Sequence, residues 1–567
     1  MRLNRRGFLG GMGAAALALS LPTTALATTR QRAVRTAGTT LDTVAMPLGD
    51  SGYRRLTAGP GWPLLVREDL GTGSPGRDDR RTPLASFVQF TDLHLVDAQS
   101  PARFEYLHPL AGAGAHRVQE TLSALGASSL VQRVNSLASG PYTGRPFDFV
   151  VATGDNTDNH ELVELDWMMS VLNGGTITPN TGDLSRFEGV QNSGSKLFWN
   201  PESPLLDRYK QAGFPQVPGF LAAATRPFTA PGLCTPWYST FGNHDDSVEG
   251  TLPANIALLD KLYTGGVKIE GMDDSAAERL ATALAKGDLV TAIAVLTANI
   301  GSVREVTADP RRKPFTPAQY IAAHLDPANT GPGPVGHGYR DTGTAYYSFQ
   351  VAPGVLGISL DSTNPAGWAE GSLSTRQLTW LEGLLKSVSS RYYDADGHLV
   401  RGGSGDQHVL IFSHHTSGSM TNLLPDPARP WEGRHSGAEL VALLQRFPNV
   451  LAWVNGHTHV NRITAHGHEV PERSFWEINT ASHCDYPQHA RVIELVDNRD
   501  GTVSLFTTLI ESAAGYRTDF GDLSQAGLAA LYRELSFNDL HASATRLGTA
   551  PDHNTELILP TPTTVRP

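Results

Sequence analysis

The sequence predicts an α/β fold, and three observations carry that prediction. Short apolar runs of about four to six residues, rich in β-branched and aromatic side chains, recur along the chain and have the size of buried strands. They are Phe87–Phe90, Phe147–Ala152, Trp237–Phe241, Val409–Phe412 and Val450–Val454. Helical spacing appears between such runs: Ser374–Ser387 sets Leu378, Leu381, Leu384 and Leu385 on one face, and Ser275–Ile300 is rich in Ala and Leu at the same period. Third, 57 Gly and 37 Pro in 567 residues suit a loop-rich fold and not a helical bundle or coiled coil.

Composition narrows the class further. With 40% hydrophobic residues the chain has enough apolar side chain for a core, which excludes wholesale disorder. The length fits several domains or one large domain carrying insertions. A net charge of −11 without basic runs argues against binding a phosphate backbone, so no nucleic-acid scaffold role is expected. Two cysteines, Cys234 and Cys484, make neither a disulfide framework nor a thiolate zinc site. One bridge or two unpaired buried thiols both fit.

Residues 1–27 read as an export signal. Arg5-Arg6 followed by Phe8-Leu9 opens a run of small and apolar residues from Gly11 to Leu21, and Ala25-Leu26-Ala27 offers a cleavage site. Paired arginines in this setting resemble a twin-arginine signal, which exports folded proteins. The expected location is therefore periplasmic or extracellular, with the twin-arginine translocase as a transient partner. The apolar run is too short to span a bilayer comfortably. Removing its three arginines takes the net charge from −11 to −14, and no mature membrane span is expected.

The rest divides into an N-terminal extension at 28–80, a main domain at 81–515 and a C-terminal tail at 516–567. The extension lacks sustained periodicity, and the tail offers one short helix candidate, Leu523–Arg533, before a Pro/Thr end. Two stretches of the main domain, about 165–235 and 250–340, carry Pro, Gly and Asn clusters and read as large loop insertions able to wall a site. Hairpins are expected around Pro353-Gly354 and around Asn498–Gly501. No internal repeat is present.

Every one of the five apolar runs ends in polar residues. In order these ends are Thr91-Asp92-Leu93-His94, Gly154-Asp155, Gly242-Asn243-His244-Asp245, Ser413-His414-His415 and Asn455-Gly456-His457-Thr458-His459. Open α/β sheets place their sites at the C-terminal ends of strands. Asp92, His94, Asp155, Asn243, His414, His457 and His459 offer carboxylate, imidazole and amide groups with no thiolate, a set suited to two first-row divalent ions. A carboxylate such as Asp155 can bridge two such ions. Asp92 and His94, two residues apart on an extended segment, would point to one side, and His457 and His459 repeat that spacing.

The ordered series Asp-x-His, Gly-Asp, Gly-Asn-His-Asp, His, Gly-His-x-His resembles the calcineurin-like metallophosphoesterase superfamily over about residues 85–460. That resemblance implies a four-layer α/β/β/α sandwich of two mixed sheets with a dinuclear centre at its loops. It implies Asp92, His94, Asp155 and His459 on one ion, and Asp155, Asn243, His414 and His457 on the other. The ions would be divalent or trivalent Mn, Fe, Zn or Co. The chain departs from the pattern at Asp158, where purple acid phosphatases carry a metal-binding tyrosine, so a tyrosinate-iron centre is not expected. The usual proline after the histidine pair is Thr416 here. His414, the first of the pair, is taken as the ligand.

The expected chemistry is hydrolysis of a small-molecule phosphomonoester or phosphodiester by hydroxide generated between the two cations. His244 is placed to touch substrate, as general acid or phosphate clamp, with Asp245 orienting it. His415 and Asp158 are candidates for supporting contacts behind the ligands. A non-catalytic protein stabilised by its metals and a dinuclear hydrolase acting on a non-phosphate substrate are the alternatives. The glycine patterns at Gly71–Gly76 and Gly331–Gly336 contain proline and read as loops rather than dinucleotide sites. Arg103, Arg117 and Arg340 could contact a phosphate, but an exposed arginine is more often a solvated surface group, and they are read as such.

Overall fold

The computed structural model describes residues 34–108, 114–254, 257–286, 288–298, 301–340, 342–403 and 405–561. The export signal expected at 1–27 lies outside these residues.

Thirteen strands build two large sheets. In chain order they are β1 (Leu65–Arg67), β2 (Thr82–Phe90), β3 (Phe149–Thr153), β4 (Trp237–Thr240), β5 (Tyr347–Ala352), β6 (Val355–Ser359), β7 (His408–Phe412), β8 (Val450–Asn455), β9 (Arg462–His466), β10 (Phe475–Asn479), β11 (Ala490–Asp497), β12 (Thr502–Ile510) and β13 (Thr555–Pro560). The seven-stranded sheet runs β1-β13-β12-β11-β2-β3-β4, and the six-stranded sheet runs β5-β6-β7-β8-β10-β9. Both are mixed. β2, β3 and β4 are parallel, as are β6, β7, β8 and β10, whereas β11–β13 and the edge strands β5 and β9 pair antiparallel. Covered on both faces, the parallel strands read as unbroken apolar runs rather than alternating ones.

The sheets pack face to face. Phe87 and Phe149 from one meet Phe412 and Phe349 from the other, at ring-centroid distances of 5.7 and 5.3 Å for Phe87–Phe412 and Phe149–Phe349. Helices cover the two outer faces. On the seven-stranded side lie α1 (Ser123–Leu137), α2 (Leu162–Asn173) and, from the far end of the chain, Gln525–Asn538. On the six-stranded side lie α3 (Thr375–Ser387) and α4 (Gly437–Leu444), whose Leu381, Leu385, Leu440 and Leu444 share one core cluster with Ile411 and Trp453. Ser374 caps α3 through its side chain on the Gln377 amide, and Ser436 with Glu439 forms a capping box on α4. The fold is thus mixed α/β with two mixed sheets, in the four-layer order expected. No helix among the described residues is long and apolar enough to cross a membrane.

Several boundaries differ from the sequence reading. Residues 516–561 are no tail: Gln525–Asn538, α5, packs on α1, and β13 fills a place within the seven-stranded sheet. The stretch from 34 to 80 is no loose extension either. It forms an antiparallel pair, Thr43–Pro47 with Leu56–Pro60, and then β1, which pairs parallel to β13. The Thr40 hydroxyl donates to the Leu509 carbonyl at 2.8 Å and the Asn554 side chain at 2.9 Å, pinning this segment to the far end of the chain. The stretch at 165–235 starts inside α2, a crossover helix that buries Leu165, Trp167, Met168 and Leu172 against the sheet. The helical spacing of Ser275–Ile300 is realised as two helices, Asp274–Ala285 and Leu289–Ala298. Both hairpins form, as β5–β6 and β11–β12.

Candidate metal centre

All five polar strand ends converge at one edge of the sandwich, on the loops after β2, β3, β4, β7 and β8. The convergence is not built by strand alternation. Asp92, His94, Asp155, His457 and His459 have φ of 51°, 44°, 50°, 69° and 56°, so the backbone turns left-handed at five of the seven expected ligands. The extended segment expected for Asp92 and His94 is therefore corrected to a tight turn. Crowding adds a second constraint. A Cβ on Gly456 would collide with Thr91 Oγ1 and fall 2.5 Å from Asp92 Oδ2, and one on Gly154, at φ +90°, would sit 2.7 Å from His414 Nδ1.

Both carboxylates are divided between structure and site. Asp92 Oδ2 accepts from the Thr91 hydroxyl at 2.6 Å and the His457 amide at 3.1 Å. Its Oδ1 is buried with no hydrogen-bond partner among the described residues and lies 3.1 Å from His459 Nε2 and 3.9 Å from His94 Nε2. Asp155 Oδ1 accepts from the His244 amide at 2.8 Å, while Oδ2 lies 3.6 Å from His94 Nε2 and 3.1 Å from His414 Nε2. One oxygen of Asp155 thus stands between two imidazoles that face it from different loops.

Three histidines are held from behind. His94 Nδ1 meets Asp158 at 2.6 Å, His459 Nδ1 meets Asp485 at 2.6 Å, and His414 Nδ1 donates to the Thr153 carbonyl at 2.9 Å. A ring whose Nδ1–H is so committed turns Nε2 inward, the usual arrangement behind a metal-ligating histidine. His94 Nε2, His414 Nε2 and Asn243 Oδ1 are buried without hydrogen-bond partners among the described residues. Asn243 is turned the same way, since its Nδ2 donates to the Gly250 carbonyl at 3.0 Å. His457 packs its ring 5.1 Å from that of His414. His415 is excluded as a ligand because both ring nitrogens are used, on Ser362 Oγ and the Ala369 carbonyl at 2.8 Å each.

Charge balance points the same way. Burial works against protonated His414 and His459, yet facing carboxylates outweigh it and hold both near pKa 9: Asp155 for His414, and Asp92 with Asp485 for His459. Burial, with cationic neighbours, holds His94 down at about 4 and His457 at about 3. Asp155 stays well below the ordinary carboxylate range although burial opposes its charge, because His414 and His244 stand beside it. Asp92 and Asp155, with Asp485 behind His459, thus draw protons onto two imidazoles where cations would otherwise balance the charge. Carboxylate oxygens and imidazole nitrogens at 3.1–3.9 Å from one another fit metal ions bound at about 2.0–2.2 Å from each ligand atom. The residues present fit two ions.

Asp158 lies where the sequence suggested support, behind His94. Burial opposes its charge, but Arg103, His94 and Arg117 keep it ionised. This corrects Arg103 and Arg117, read as surface groups. Arg103 is buried against Asp158 and Glu120, and Arg117 pairs with Asp485 at 3.0 Å and Asp158 at 3.2 Å. Arg340 is exposed, as read. Asp245 does not orient His244. Its carboxylate accepts from the amides of Asn156, Thr157 and Gly242, bracing the turn after β4. His244 donates instead from Nδ1 to the Asp158 carbonyl at 2.7 Å and stacks edge-on against His94 at 4.5 Å.

Sequence reasoning missed Asp485, which follows β10. The rule that found the other ends, an apolar run stopping at polar residues, applies at Phe475–Asn479 as well. Cys484, read from sequence only as a bridge partner or an unpaired thiol, also lies beside the ligands, and Cys234, expected buried, is exposed. Both cysteines are free thiols, Cys234 exposed and Cys484 buried, with the Cys484 sulfur and one nitrogen each of His94 and His459 within 4.8 Å of one another. Beside the centre opens a cleft of about 310 Å³, whose lining includes His244, His459, Arg117, Phe104, Leu252 and Arg546.

The chain matches no family model and no curated protein. Among solved structures it is similar to a dimetal phosphatase from Danio rerio, at 12% identity and a TM-score of 0.33, covering 76% of this chain and all of that one. It is also similar to a purple acid phosphatase from yellow lupin (Lupinus luteus) seeds, at 10% identity and a TM-score of 0.26, covering 82% of this chain and 55% of that one. Similarity this remote leaves the chemistry of the centre to its own geometry.

Proposed function

We propose that this chain is an exported, metal-dependent phosphoesterase. The observation that carries the reading is Asp155 Oδ2, a single carboxylate oxygen facing His94 Nε2 at 3.6 Å and His414 Nε2 at 3.1 Å, as a bridge between two ions requires. Asp92, His94, Asp155 and His459 would hold one ion, and Asp155, Asn243, His414 and His457 the other. The donor set suits Mn, Fe, Zn or Co. Such a pair supplies an acidified water and neutralises charge on phosphoryl oxygens.

The remaining roles belong to the chain. Hydrolysis joins a water oxygen to phosphorus and breaks the bond to the alcohol oxygen, which leaves with a proton. His244 is the group positioned for that proton: its Nδ1 is tied to the Asp158 carbonyl and its ring lines the cleft. Neutral, the ring offers Nε2 as an acceptor; doubly protonated, it offers a donor. Asp158 and Asp485 fix the rings of His94 and His459, and Arg117 links those two carboxylates. The test is turnover of chromogenic phosphomonoesters and diesters by the metal-loaded protein, with elemental analysis. Two ions per chain and phosphoester hydrolysis abolished by chelation are expected; no turnover of either ester class by fully loaded protein would overturn the reading.

A further inference from the structure

Beyond the ligands, the cleft is walled by parts of the chain far apart in sequence. Phe104 and Leu107 precede α1, Val248 and Leu252 follow β4, Tyr486 follows β10, and His541 and Arg546 follow α5. Its volume, about 310 Å³, is at the lower end of the size of small-molecule sites, so it has room for more than a phosphate. The apolar side chains among these suit an organic body. The polar groups are unevenly committed. Arg117 is held by two carboxylates, Asp485 and Asp158. Arg546 is not: Nη1 lies 3.0 Å from Asp485 Oδ2, and that is the only partner of its guanidinium among the described residues. The same Asp485 oxygen holds His459 Nδ1 at 2.6 Å, so Arg546 stands one carboxylate away from an expected metal ligand.

Two imidazole nitrogens extend the polar wall. His116 is 1% exposed, with Nδ1 on Glu120 at 3.0 Å, and its buried Nε2 has no hydrogen-bond partner among the described residues. His541 Nε2 is likewise buried and unpartnered, its ring 4.0 Å from that of His108. Both residues line the cleft.

Resting on the phosphoesterase reading, we propose that this cleft receives the alcohol side of the substrate and that Arg546 pairs with a second anionic group carried there. The substrate is then a phosphoester of an organic alcohol bearing an additional carboxylate or phosphoryl group. A guanidinium with free donors gains a charge-assisted pair from such a group, whereas Arg117, already paired with two carboxylates, has less to gain. The segment after α5 thereby sets specificity for chemistry performed by loops that precede it by 80 residues or more.

The test compares phenyl phosphate with its 4-carboxyphenyl and 4-phosphonophenyl counterparts, each as monoester and methyl diester, on the full metal-loaded chain. Wild type should favour the doubly anionic esters, chiefly through KM. In Arg546→Ala that preference ratio should fall about ten- to a hundredfold, the worth of one hydrogen bond to a charged group, and Arg546→Lys should restore part of it. Comparing the two anions tells a carboxylate substrate from a phosphoryl one. A ratio unchanged in Arg546→Ala, or no preference in wild type although the esters are hydrolysed, overturns the inference and leaves the phosphoesterase reading standing. Failure to hydrolyse any ester by protein carrying two ions removes both.

Discussion

Replacing His244 with alanine should slow catalysis on poor leaving groups while both metal ions stay bound. The neighbouring Asn243 already offers its oxygen at that turn, so the imidazole is not required as a ligand. Its anchor, 2.7 Å to the Asp158 carbonyl, and its edge contact with His94 at 4.5 Å hold the ring in one orientation against the cleft. A general acid so placed is worth about 10²–10⁴-fold, or about 2.7–5.5 kcal/mol of barrier. The cost to the fold is smaller. The side chain is 17% exposed, and its loss frees one carbonyl acceptor at the edge of a wet cleft, about 1 kcal/mol. The assay is kcat on alkyl and nitrophenyl esters with metal content measured on the same samples. An alkoxide needs a proton as its bond to phosphorus breaks and a nitrophenolate does not, so the loss should fall mainly on the alkyl esters. Equal losses would make His244 a phosphate clamp. Loss of an ion would make it a ligand, which its nitrogen's position within 4.8 Å of atoms of His94 and Asp155 permits, and the division of roles would be refuted.

Four further outcomes are expected. Asp155→Asn should lose metal and activity together, because a neutral amide replaces the shared anionic oxygen; two ions per chain with normal turnover would contradict the bridging role. Gly456→Ala should lower both metal content and Tm, since the added methyl displaces the Thr91–Asp92 hydrogen bond, and an unperturbed Tm would show that the turn can yield. In metal-free protein, His414 and His459 have pKa values near 9, above the usual histidine value. Their stabilisation should be complete below about pH 6.5 and lost as pH rises through 9, over which range Tm should fall in chelator but not with metal bound. Finally, Arg5→Lys with Arg6→Lys should leave precursor in the cytoplasm; undiminished export in a fractionation assay would exclude the twin-arginine route.

The parts of the fold legible in sequence are those whose signal is local. β2, β3, β4, β7 and β8 are buried on both faces and so spell themselves as apolar runs, and each run hands its ligands to the same edge. What stayed hidden depends on partners distant in the chain. β13 and β1 pair across nearly 500 residues, and neither short strand announces a partner. Arg117 looks like any solvated arginine until Asp158 and Asp485 are seen around it, because burial of a cation is set by its counter-ions rather than by its own neighbours in sequence. Asp245 was misread for the opposite reason. Adjacency to His244 suggested a pair, but a carboxylate in a tight turn finds backbone amides first, and two of the three it finds belong to the loop after β3.

The left-handed turns at the ligands explain why sequence could name these residues but not their geometry. A side chain at a strand's end points along or away from the sheet, and bringing several such ends onto two ions requires the chain to fold back within two or three residues. Left-handed φ at Asp92, His94, Asp155, His457 and His459 does this. Each such residue costs on the order of 1–2 kcal/mol, so five together rival the whole net stability of an ordinary domain, roughly 5–15 kcal/mol. The cost is held at its lower end by residue type, since Asp and His are among the non-glycine residues that enter this region most readily. Glycine would relieve the strain and supply no ligand; a β-branched residue would supply neither. The residue types that metal chemistry asks for are therefore also those the backbone can bend, and the core beneath, where Phe87, Phe149 and Phe412 lock the two sheets together, keeps them bent in register.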